Sequence, residues 1–267
     1  MKHTNLQKEQ QLALALAREA SAAILPLYYS GVDVEDKEDG SPVTIADKRS
    51  NQIILDGIQK AFPNDGIVSE ELDTLSGKRF WYVDPIDGTK GFIGHSDQFA
   101  IHIALAKKGD TPMLGLVYKP TTGEYYITAR GEGAYRVNPD GSKTQLQVAG
   151  DREGLRIVTN MTFTLKQRTL VDILQADKLY MGGGLGLRAM RVAEGLADIY
   201  IKDSDNGGTW DTAAPQAIIE EAGGIVMRLD GSPVIYSGQR GPSERMVFSK
   251  NRDLGLYVAD IVQKYVK

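Results

Sequence analysis

The sequence predicts an α/β protein, and three features of its hydrophobic patterning support this fold class. The first part of the chain has two segments of helical periodicity, the middle has short β-rich runs separated by turns, and the last part alternates strand and helix patterns. The 267 residues divide accordingly into an N-terminal α+β part, residues 1–150, and a C-terminal α/β part, residues 151–267. This length allows one large domain or two closely packed ones.

Two amphipathic helices are predicted near the N-terminus. Apolar residues recur with a 3.6-residue period from Leu12 to about Tyr29. After a polar segment the same period runs from Ala46 to Ala61, and Pro63 ends it because proline cannot continue a helix. Asp47 therefore lies in the first turn of the second helix.

Strands dominate the middle of the chain. Gly66–Ser69 and Arg79–Val83 are predicted strands, and the second ends at Asp84-Pro85. Four further runs separated by turn dipeptides predict an antiparallel meander: Phe99–Ala106, Met113–Tyr118, Glu124–Ala129 and Tyr135–Val137. The C-terminal part then alternates: strand Leu155–Thr159, helices Leu165–Gln175 and Leu187–Leu196, strand Asp198–Ile201, helix Asp211–Ala222, strands Ile225–Leu229 and Met246–Ser249, and a helix from about Leu254.

Composition excludes several classes of function. With 31 Lys plus Arg against 35 Asp plus Glu and no dense basic block, nucleic acid and anionic membranes are not expected as partners. The absence of Cys excludes disulfides, thiolate-bound metals and Cys nucleophiles, and three His make a His-rich metal site improbable. The N-terminus is too polar for a signal peptide and no apolar run approaches the ~20 residues of a membrane span, so a cytoplasmic protein is expected.

Three separate segments place acidic residues where a strand or loop meets a helix or a tight turn. They are Ser69-Glu70-Glu71, Asp84-Pro85-Ile86-Asp87-Gly88-Thr89 and Trp210-Asp211-Thr212. In the second, Pro85 fixes the backbone and Gly88 permits a sharp turn, so two carboxylates can face one point. If Glu70 and Asp211 join them, like charges at ~4 Å repel by roughly 4 kcal/mol at an effective dielectric near 20. Divalent cations are therefore required, and oxygen ligands favour Mg²⁺.

Such a site favours the hydrolysis of phosphate esters. Two or three Mg²⁺ ions would polarise a phosphoryl group and lower the pKa of a water. Asp47 can orient the hydroxyl of Thr89, and this pair would accept the proton of the water. The backbone N–H groups of Gly88 and Thr89 would hold the phosphate oxygens.

Each acidic segment taken alone also has an ordinary structural interpretation. Glu70-Glu71 is typical of solvated surface, Asp47 and Asp211 of helix N-termini, and Asp-Gly-Thr of turns. A strand that ends in Asp-x-Asp-Gly-Thr marks the aspartyl-phosphate phosphatases of the haloacid dehalogenase type. That class is disfavoured because the two aspartates here, Asp84 and Asp87, are three residues apart and the motif is not near the N-terminus.

Taken together, these segments resemble the inositol monophosphatase superfamily of Mg²⁺-dependent, Li⁺-sensitive phosphatases. The resemblance rests on Asp47, Glu70-Glu71, Asp84 to Thr89, and Trp210 to Ala214 followed by Glu221-Ala222-Gly223-Gly224. It implies a layered α/β/α/β/α sugar-phosphatase fold in one catalytic domain, residues 1–267, and a homodimer. It also implies metal ligands and a water-activating pair: Glu70, Asp84, the carbonyl of Ile86, Asp87 and Asp211 for the metals, and Thr89 with Asp47 for the water.

Within this family, Asp-Gly-Thr-Lys and Trp-Asp-Thr-Ala-Ala-Pro look most like the 3′(2′),5′-bisphosphate nucleotidases. A second phosphate needs a further cation, which Lys90 or Arg188 would supply. The glycine run at Gly184 lacks the hydroxyl residues usual in the nucleotidases, so it is either a backbone cradle for the substrate or a strand-to-helix connection. Inositol-1-monophosphatase, fructose-1,6-bisphosphatase or another sugar phosphatase, and a regulatory protein that retains the fold, stay open as alternatives. His95 and His102 are interpreted as a loop residue and a strand residue.

Overall fold

A computed structural model describes residues 5–36, 42–72, 74–159, 165–241 and 244–265 of the chain. Its helices are α1 (Gln7–Ser30), α2 (Ile45–Ala61), α3 (Thr89–Ile93), α4 (Leu165–Leu174), α5 (Leu185–Ala193), α6 (Thr209–Glu221) and α7 (Arg252–Tyr265). Its strands are β1 (Val34–Asp36), β2 (Pro42–Thr44), β3 (Gly66–Ser69), β4 (Arg79–Asp87), β5 (Ala100–Lys107), β6 (Pro112–Tyr118), β7 (Tyr125–Ala129), β8 (Ala134–Val137), β9 (Lys143–Gln145), β10 (Leu155–Thr159), β11 (Ala176–Met181), β12 (Ile199–Lys202), β13 (Ile225–Arg228) and β14 (Met246–Ser249). Every helix and strand predicted from the sequence is present. In the part of the chain that the structure describes, none of the helices has the length and hydrophobicity that a membrane-spanning helix needs.

Within the described residues the strands form two large sheets and one short ribbon of β1 and β2. The larger sheet has the order β3-β4-β5-β6-β7-β8-β9. Strand β3 is parallel to β4, and all later neighbours are antiparallel. The predicted antiparallel meander is thereby confirmed in β5 to β8. The smaller sheet has the order β11-β10-β12-β14-β13, with β10 parallel to both of its neighbours.

The sheets and helices stack in five layers. Helices α1 and α2 pack on each other and on one face of the larger sheet, and α6 packs on strands β4 to β8 from the other face. Helix α5 lies beside α6 and also contacts β10 and β12 of the smaller sheet. Helices α4 and α7 cover the outer face of the smaller sheet. The order is therefore α/β/α/β/α, which confirms the fold implied by the sequence resemblance.

Strand β4 lies inside this stack and is buried on both faces. Trp81 and Val83 point into the core beneath α1 and α2, whereas Phe80 and Tyr82 point into the core beneath α6. Because successive side chains alternate between faces, a strand covered on both sides needs a continuous apolar run. The run Phe80–Val83 satisfies this need and brings Asp84 to the end of the layer.

The predicted end of this strand at Asp84 is wrong, because β4 continues to Asp87. The ladder with β5 shifts register between the pairs Asp84–His102 and Asp87–Ala100. Pro85 has no N–H to donate to a neighbouring strand, so the pairing skips it and the chain bulges. The hydroxyl of Ser50 on α2 donates to the carbonyl of Pro85 at 2.9 Å and fastens this bulge to the helical layer.

The helix predicted at Leu187–Leu196 begins and ends earlier than predicted. It begins at Leu185 because the carboxylate of Asp87, distant in sequence, accepts the N–H groups of Leu185 and Gly186. It ends before Gly195, whose φ of 68° is not helical. The ribbon strands β1 and β2 and the edge strands β9 and β11 were not predicted. In β9 every side chain is exposed, so no hydrophobic alternation marks it.

A glycine on β6 sets how closely α6 approaches the larger sheet. A Cβ atom at Gly115 would lie 2.5 Å from the carbonyl oxygen of Ala214 and 2.9 Å from the Cβ of Ala217. We expect Gly115→Ala to lower the free energy of unfolding by about 1–3 kcal/mol through overpacking, measured by urea denaturation. Gly150→Ala is the matched control, because no atom lies within 4 Å of the added methyl. Equal stability of the two variants would contradict this account.

Candidate active site

Three carboxylates from two distant segments meet at the end of β4. Asp84 and Asp87 come from the bulge of β4, and Asp211 comes from the first turn of α6. One oxygen of each lies within 4.8 Å of the others. The N–H of Ile86 donates to Asp84 at 3.1 Å, and the N–H of Gly208 donates to Asp211 at 2.5 Å. Backbone bonds therefore hold two of these carboxylates in place.

Asp87 is held by the N-terminus of α5. Its two carboxylate oxygens accept the N–H groups of Leu185 and Gly186 at 2.8 and 2.7 Å. This close approach needs glycine, because a Cβ at Gly184 would lie 2.4 Å from Asp87 and one at Gly186 would lie 2.1 Å from His102. The N–H of Gly184 donates to the carbonyl of Gln98 at 3.0 Å. The backbone N–H groups of residues 184–186 thus bind acceptors within the protein itself, and the glycine run connects loop to helix.

His102 is a residue of this site that sequence reasoning missed. It lies on β5, as predicted, but it is fully buried opposite Asp84 in the ladder. Its Nε2 atom lies 3.2 Å from Asp87 and its Nδ1 atom 4.0 Å from Asp84. Only the strand register brings these residues together, and no spacing in the sequence indicates it.

Burial and mutual repulsion raise the pKa values of two of the three carboxylates. Burial, followed by the charges of Glu70 and Asp211, raises the pKa of Asp84 well above its usual value. Burial and the charge of Asp87 raise the pKa of Asp211 to about 6. Burial also acts to raise the pKa of Asp87, but His102 and then Arg188 favour its ionised form, and its pKa lies below the usual value.

This donor set fits a divalent metal ion. Among the described residues no Lys or Arg side chain forms an ion pair with Asp84, Asp87 or Asp211. Clustered carboxylate oxygens of this kind are the ligands that hard cations such as Mg²⁺ and Ca²⁺ prefer. Glu70 lies outside the three-carboxylate group, although it lines the same cavity and its charge reaches Asp84.

Asp47 and Thr89 are in hydrogen-bond contact beside the carboxylates. One oxygen of Asp47 accepts the N–H and the hydroxyl of Thr44 at 2.8 and 2.7 Å, which forms the capping box of α2. Its other oxygen accepts the hydroxyl of Thr89 at 3.2 Å. The same hydroxyl lies 3.3 Å from the carbonyl oxygen of Ile86. The predicted pairing of Asp47 with Thr89 is thus present in the structure.

These groups surround one end of a cavity of about 400 Å³, some in its wall and some behind it. One side of the cavity carries Glu70, Asp87 and Asp211 together with the turn after β4, where Gly88 has the positive φ of 91° that its sharp turn requires. The other side is formed by α5, β12 and the loop after β12. Of the residues predicted to bind the metal or substrate, those that line the cavity are Glu70, Asp87, Gly88, Thr89, Lys90, Gly184, Arg188 and Asp211, whereas Asp47, Asp84 and Ile86 lie behind its wall.

Comparison with known proteins identifies similar enzymes along almost the whole chain. Residues 5–264 match the model of the inositol monophosphatase family. The chain is 32% identical over 237 residues to the 3′(2′),5′-bisphosphate nucleotidase CysQ of Aggregatibacter actinomycetemcomitans, covering 85% of this chain and 87% of that protein. It is 35% identical over 255 residues to a histidinol-phosphatase of Chlorobaculum parvum, covering 90% and 93%. The structure superposes on the Thermotoga maritima IMPase with a TM-score of 0.80 at 25% identity, covering 97% and 100%. These matches confirm the resemblance inferred from the acidic motifs.

The raised pKa values predict how stability depends on pH without metal. Asp84 and Asp211 bind a proton more tightly in the folded chain than in the unfolded chain, where Asp titrates near ~4. The stabilisation is complete below about pH 4 and is lost as the pH rises through the folded pKa values. For Asp211, a pKa of about 6 corresponds to a loss of roughly 2–3 kcal/mol.

Urea denaturation in the presence of a chelator, at pH 5 and pH 7, measures this loss. We expect lower stability at pH 7, reversal of the loss by Mg²⁺, and a flatter profile for Asp84→Asn. The exposed Asp56 on α2 provides a matched Asp56→Asn control that keeps the wild-type profile. An Asp84→Asn profile parallel to that of the wild type would refute the explanation.

Proposed function

The chain belongs to the inositol monophosphatase family of metal-dependent phosphatases, and we propose that it removes the 3′-phosphate from a nucleoside 3′,5′-bisphosphate with the help of Mg²⁺. The observation that carries this proposal is the group of three carboxylates, two of which, Asp87 and Asp211, line a cavity together with Arg188 and Lys90. The carboxylates suit a cation that binds the scissile phosphate. The basic side chains suit a second phosphate.

We assign the metal ligands to five positions and support them by the chemistry of their oxygens. They are the carboxylates of Glu70, Asp84, Asp87 and Asp211 and the carbonyl of Ile86. When bound, two or three Mg²⁺ ions would polarise the phosphoryl group and acidify a water. The protein contributes ligands that hydrogen bonds already orient, such as Asp87 on α5 and Asp211 on its own helix N-terminus.

Thr89 and Asp47 are proposed to accept the proton of the attacking water. The Thr89 hydroxyl donates to Asp47, so the lone pairs of its oxygen can accept a hydrogen bond from a water in the cavity. As the water attacks phosphorus, its proton would pass to Thr89 while the hydroxyl proton moves toward Asp47; the bond between phosphorus and the 3′-oxygen breaks, and that oxygen leaves as a hydroxyl after taking a proton from solvent. Thr44 holds the other carboxylate oxygen of Asp47 and thereby orients the pair. The N–H groups of Gly88 and Thr89 are proposed to contact the phosphate.

A bisphosphate substrate is supported by the cations on the cavity wall and by the relatives. Lys90 and Arg188 both line the cavity, and Arg188 is partly buried, which strengthens a charge-assisted hydrogen bond to phosphate. The CysQ relative is a 3′(2′),5′-bisphosphate nucleotidase. Gly184 also lines the cavity, but its N–H donates to the carbonyl of Gln98 and its carbonyl accepts the N–H of Arg188, so it would contact a substrate only through its Cα.

Hydrolysis of histidinol phosphate is the second candidate function. The histidinol-phosphatase relative aligns with 90% of this chain, and Asp203 lines the cavity near the basic residues. A carboxylate at that place favours a substrate with a positively charged amine. The two candidates therefore require opposite charges at the part of the substrate that is not cleaved.

Release of phosphate from a panel of substrates separates the candidates. The panel contains adenosine 3′,5′-bisphosphate, histidinol phosphate, inositol 1-phosphate and fructose 1,6-bisphosphate, with Mg²⁺ titrated and Li⁺ added. We expect the highest kcat/KM with adenosine 3′,5′-bisphosphate, dependence on Mg²⁺ and inhibition by Li⁺. Equal and weak activity on all four compounds would defeat the nucleotidase assignment, and preference for histidinol phosphate would establish the second candidate.

Asp47→Asn tests the proposed role of the Thr89–Asp47 pair. The amide keeps the size of the side chain but cannot take up the proton, so we expect kcat to fall by a factor of about 10²–10⁴. Binding of Mn²⁺, measured by electron paramagnetic resonance, should stay within a few-fold of wild type because Asp47 is not a proposed ligand. Asp56→Asn, on the same helix, is the control. A kcat near the wild-type value would remove Asp47 from the mechanism.

A further inference from the structure

The side of the cavity formed by α5 and β12 carries two basic side chains. One packs over an aromatic ring of β12, and the other belongs to the same strand. Tyr200 and Lys202 are two residues apart on β12, so they project from the same face of the smaller sheet. Helix α5 contacts β12, and the Arg188 guanidinium lies 5.1 Å from the centre of the Tyr200 ring. All three residues line the cavity. We call Arg188, Tyr200 and Lys202 the cationic wall.

Lys202 is the more deeply buried cation of this wall. Its exposed fraction is 4%, and its ammonium donates to the carbonyl of Ser204. Burial lowers the pKa of Lys202 to about 8, whereas the charges of Asp211 and Asp205 act to raise it. The ammonium is therefore largely charged at neutral pH.

Lys202 differs in its environment from Lys90, the lysine that the sequence motif indicates as a phosphate ligand. Lys90 lies on the short helix after the turn and is exposed to solvent. Water screens an exposed ammonium, so its attraction for phosphate is weak. Lys202 lies at the end of a buried strand, where the same charge acts in a lower dielectric. The sequence gives no sign of this, because Lys202 belongs to no motif.

We propose that Lys202, together with Arg188, binds the phosphate of the substrate that is not cleaved, and that it thereby determines the preference for a bisphosphate. This inference rests on the proposed function. The scissile phosphate would bind, through the metal ion, at the carboxylate side of the cavity. The cationic wall is then available for a second anion. A volume of about 400 Å³ is within the usual range for a small-molecule site.

Lys202 also distinguishes the two candidate substrates. Asp203, the next residue along the chain, lines the same cavity and offers a negative charge. A substrate with a cationic amine would place this amine against the Arg188 guanidinium and the Lys202 ammonium, which disfavours it electrostatically. A phosphate gains charge-assisted hydrogen bonds from both groups.

The experiment compares two substrates that differ only in the 5′-phosphate: adenosine 3′,5′-bisphosphate and adenosine 3′-monophosphate. The measured quantity is the ratio of their kcat/KM values. If the wild-type enzyme binds the 5′-phosphate, kcat/KM for the bisphosphate divided by kcat/KM for the monophosphate is well above one. We expect Lys202→Met, which keeps the length of the side chain without its charge, to lower this ratio about tenfold or more, as loss of a charge-assisted hydrogen bond requires.

Two variants serve as controls. Lys202→Arg keeps a cation at the position and should retain most of the ratio. Lys264→Met removes the same charge from an exposed site on α7 and should leave the ratio unchanged. Should Lys202→Met fail to fold, Lys202→Gln replaces it, and thermal melting of each variant verifies folding.

The outcomes separate this inference from the function on which it rests. If the wild-type preference for the bisphosphate persists in Lys202→Met, the role of Lys202 is overturned and the nucleotidase proposal is not affected. An equal loss on both substrates also overturns it, because Lys202 would then support the fold or the chemical step. A wild-type enzyme that cleaves neither nucleotide, or shows no preference, overturns the nucleotidase proposal and this inference with it.

Discussion

Repulsion between buried carboxylates is the constraint around which this protein is built. Asp84, Asp87 and Asp211 have oxygens within 4.8 Å of one another at the end of an apolar strand. Like charges at such separations repel by several kcal/mol, about 4 at an effective dielectric near 20. Burial, together with this repulsion, raises the pKa values of Asp84 and Asp211. The cluster of carboxylates in the folded chain is therefore favourable only when it binds a proton or a cation.

Helix N-termini supply part of the compensation. Asp47 closes the capping box of α2, Asp211 accepts a backbone N–H at the start of α6, and Asp87 accepts two N–H groups at the start of α5. The partial positive charge of each helix start favours the carboxylate that it binds. The structural and the functional interpretations of these acidic residues thus both hold. The hydrogen bonds that cap the helices also fix the orientation of these carboxylates.

The cavity combines this negative side with the cationic wall on α5 and β12. Asp87 connects the two, because it binds the start of α5, and α5 carries Arg188 one turn further on. Movement of α5 would therefore alter both the carboxylate cluster and the basic side of the cavity. The close packing of glycines 184 and 186 against Asp87 and His102 leaves α5 little freedom to move.

Local patterns predicted most of the secondary structure and the three carboxylates, Asp84, Asp87 and Asp211, that the structure brings together. The helices α1 and α2, the meander and the segments with Glu70, Asp84, Asp87 and Asp211 follow from periodicity and turn chemistry, which act over a few residues. The strands β1, β2, β9 and β11 were missed because backbone pairing with a neighbour, rather than hydrophobic alternation, defines them. Only the tertiary structure placed His102 between two aspartates, moved the start of α5 to Leu185 and brought Lys202 to the cavity. These features arise from contacts between residues that are distant in the chain, through strand register and layer packing, and no local pattern encodes such contacts.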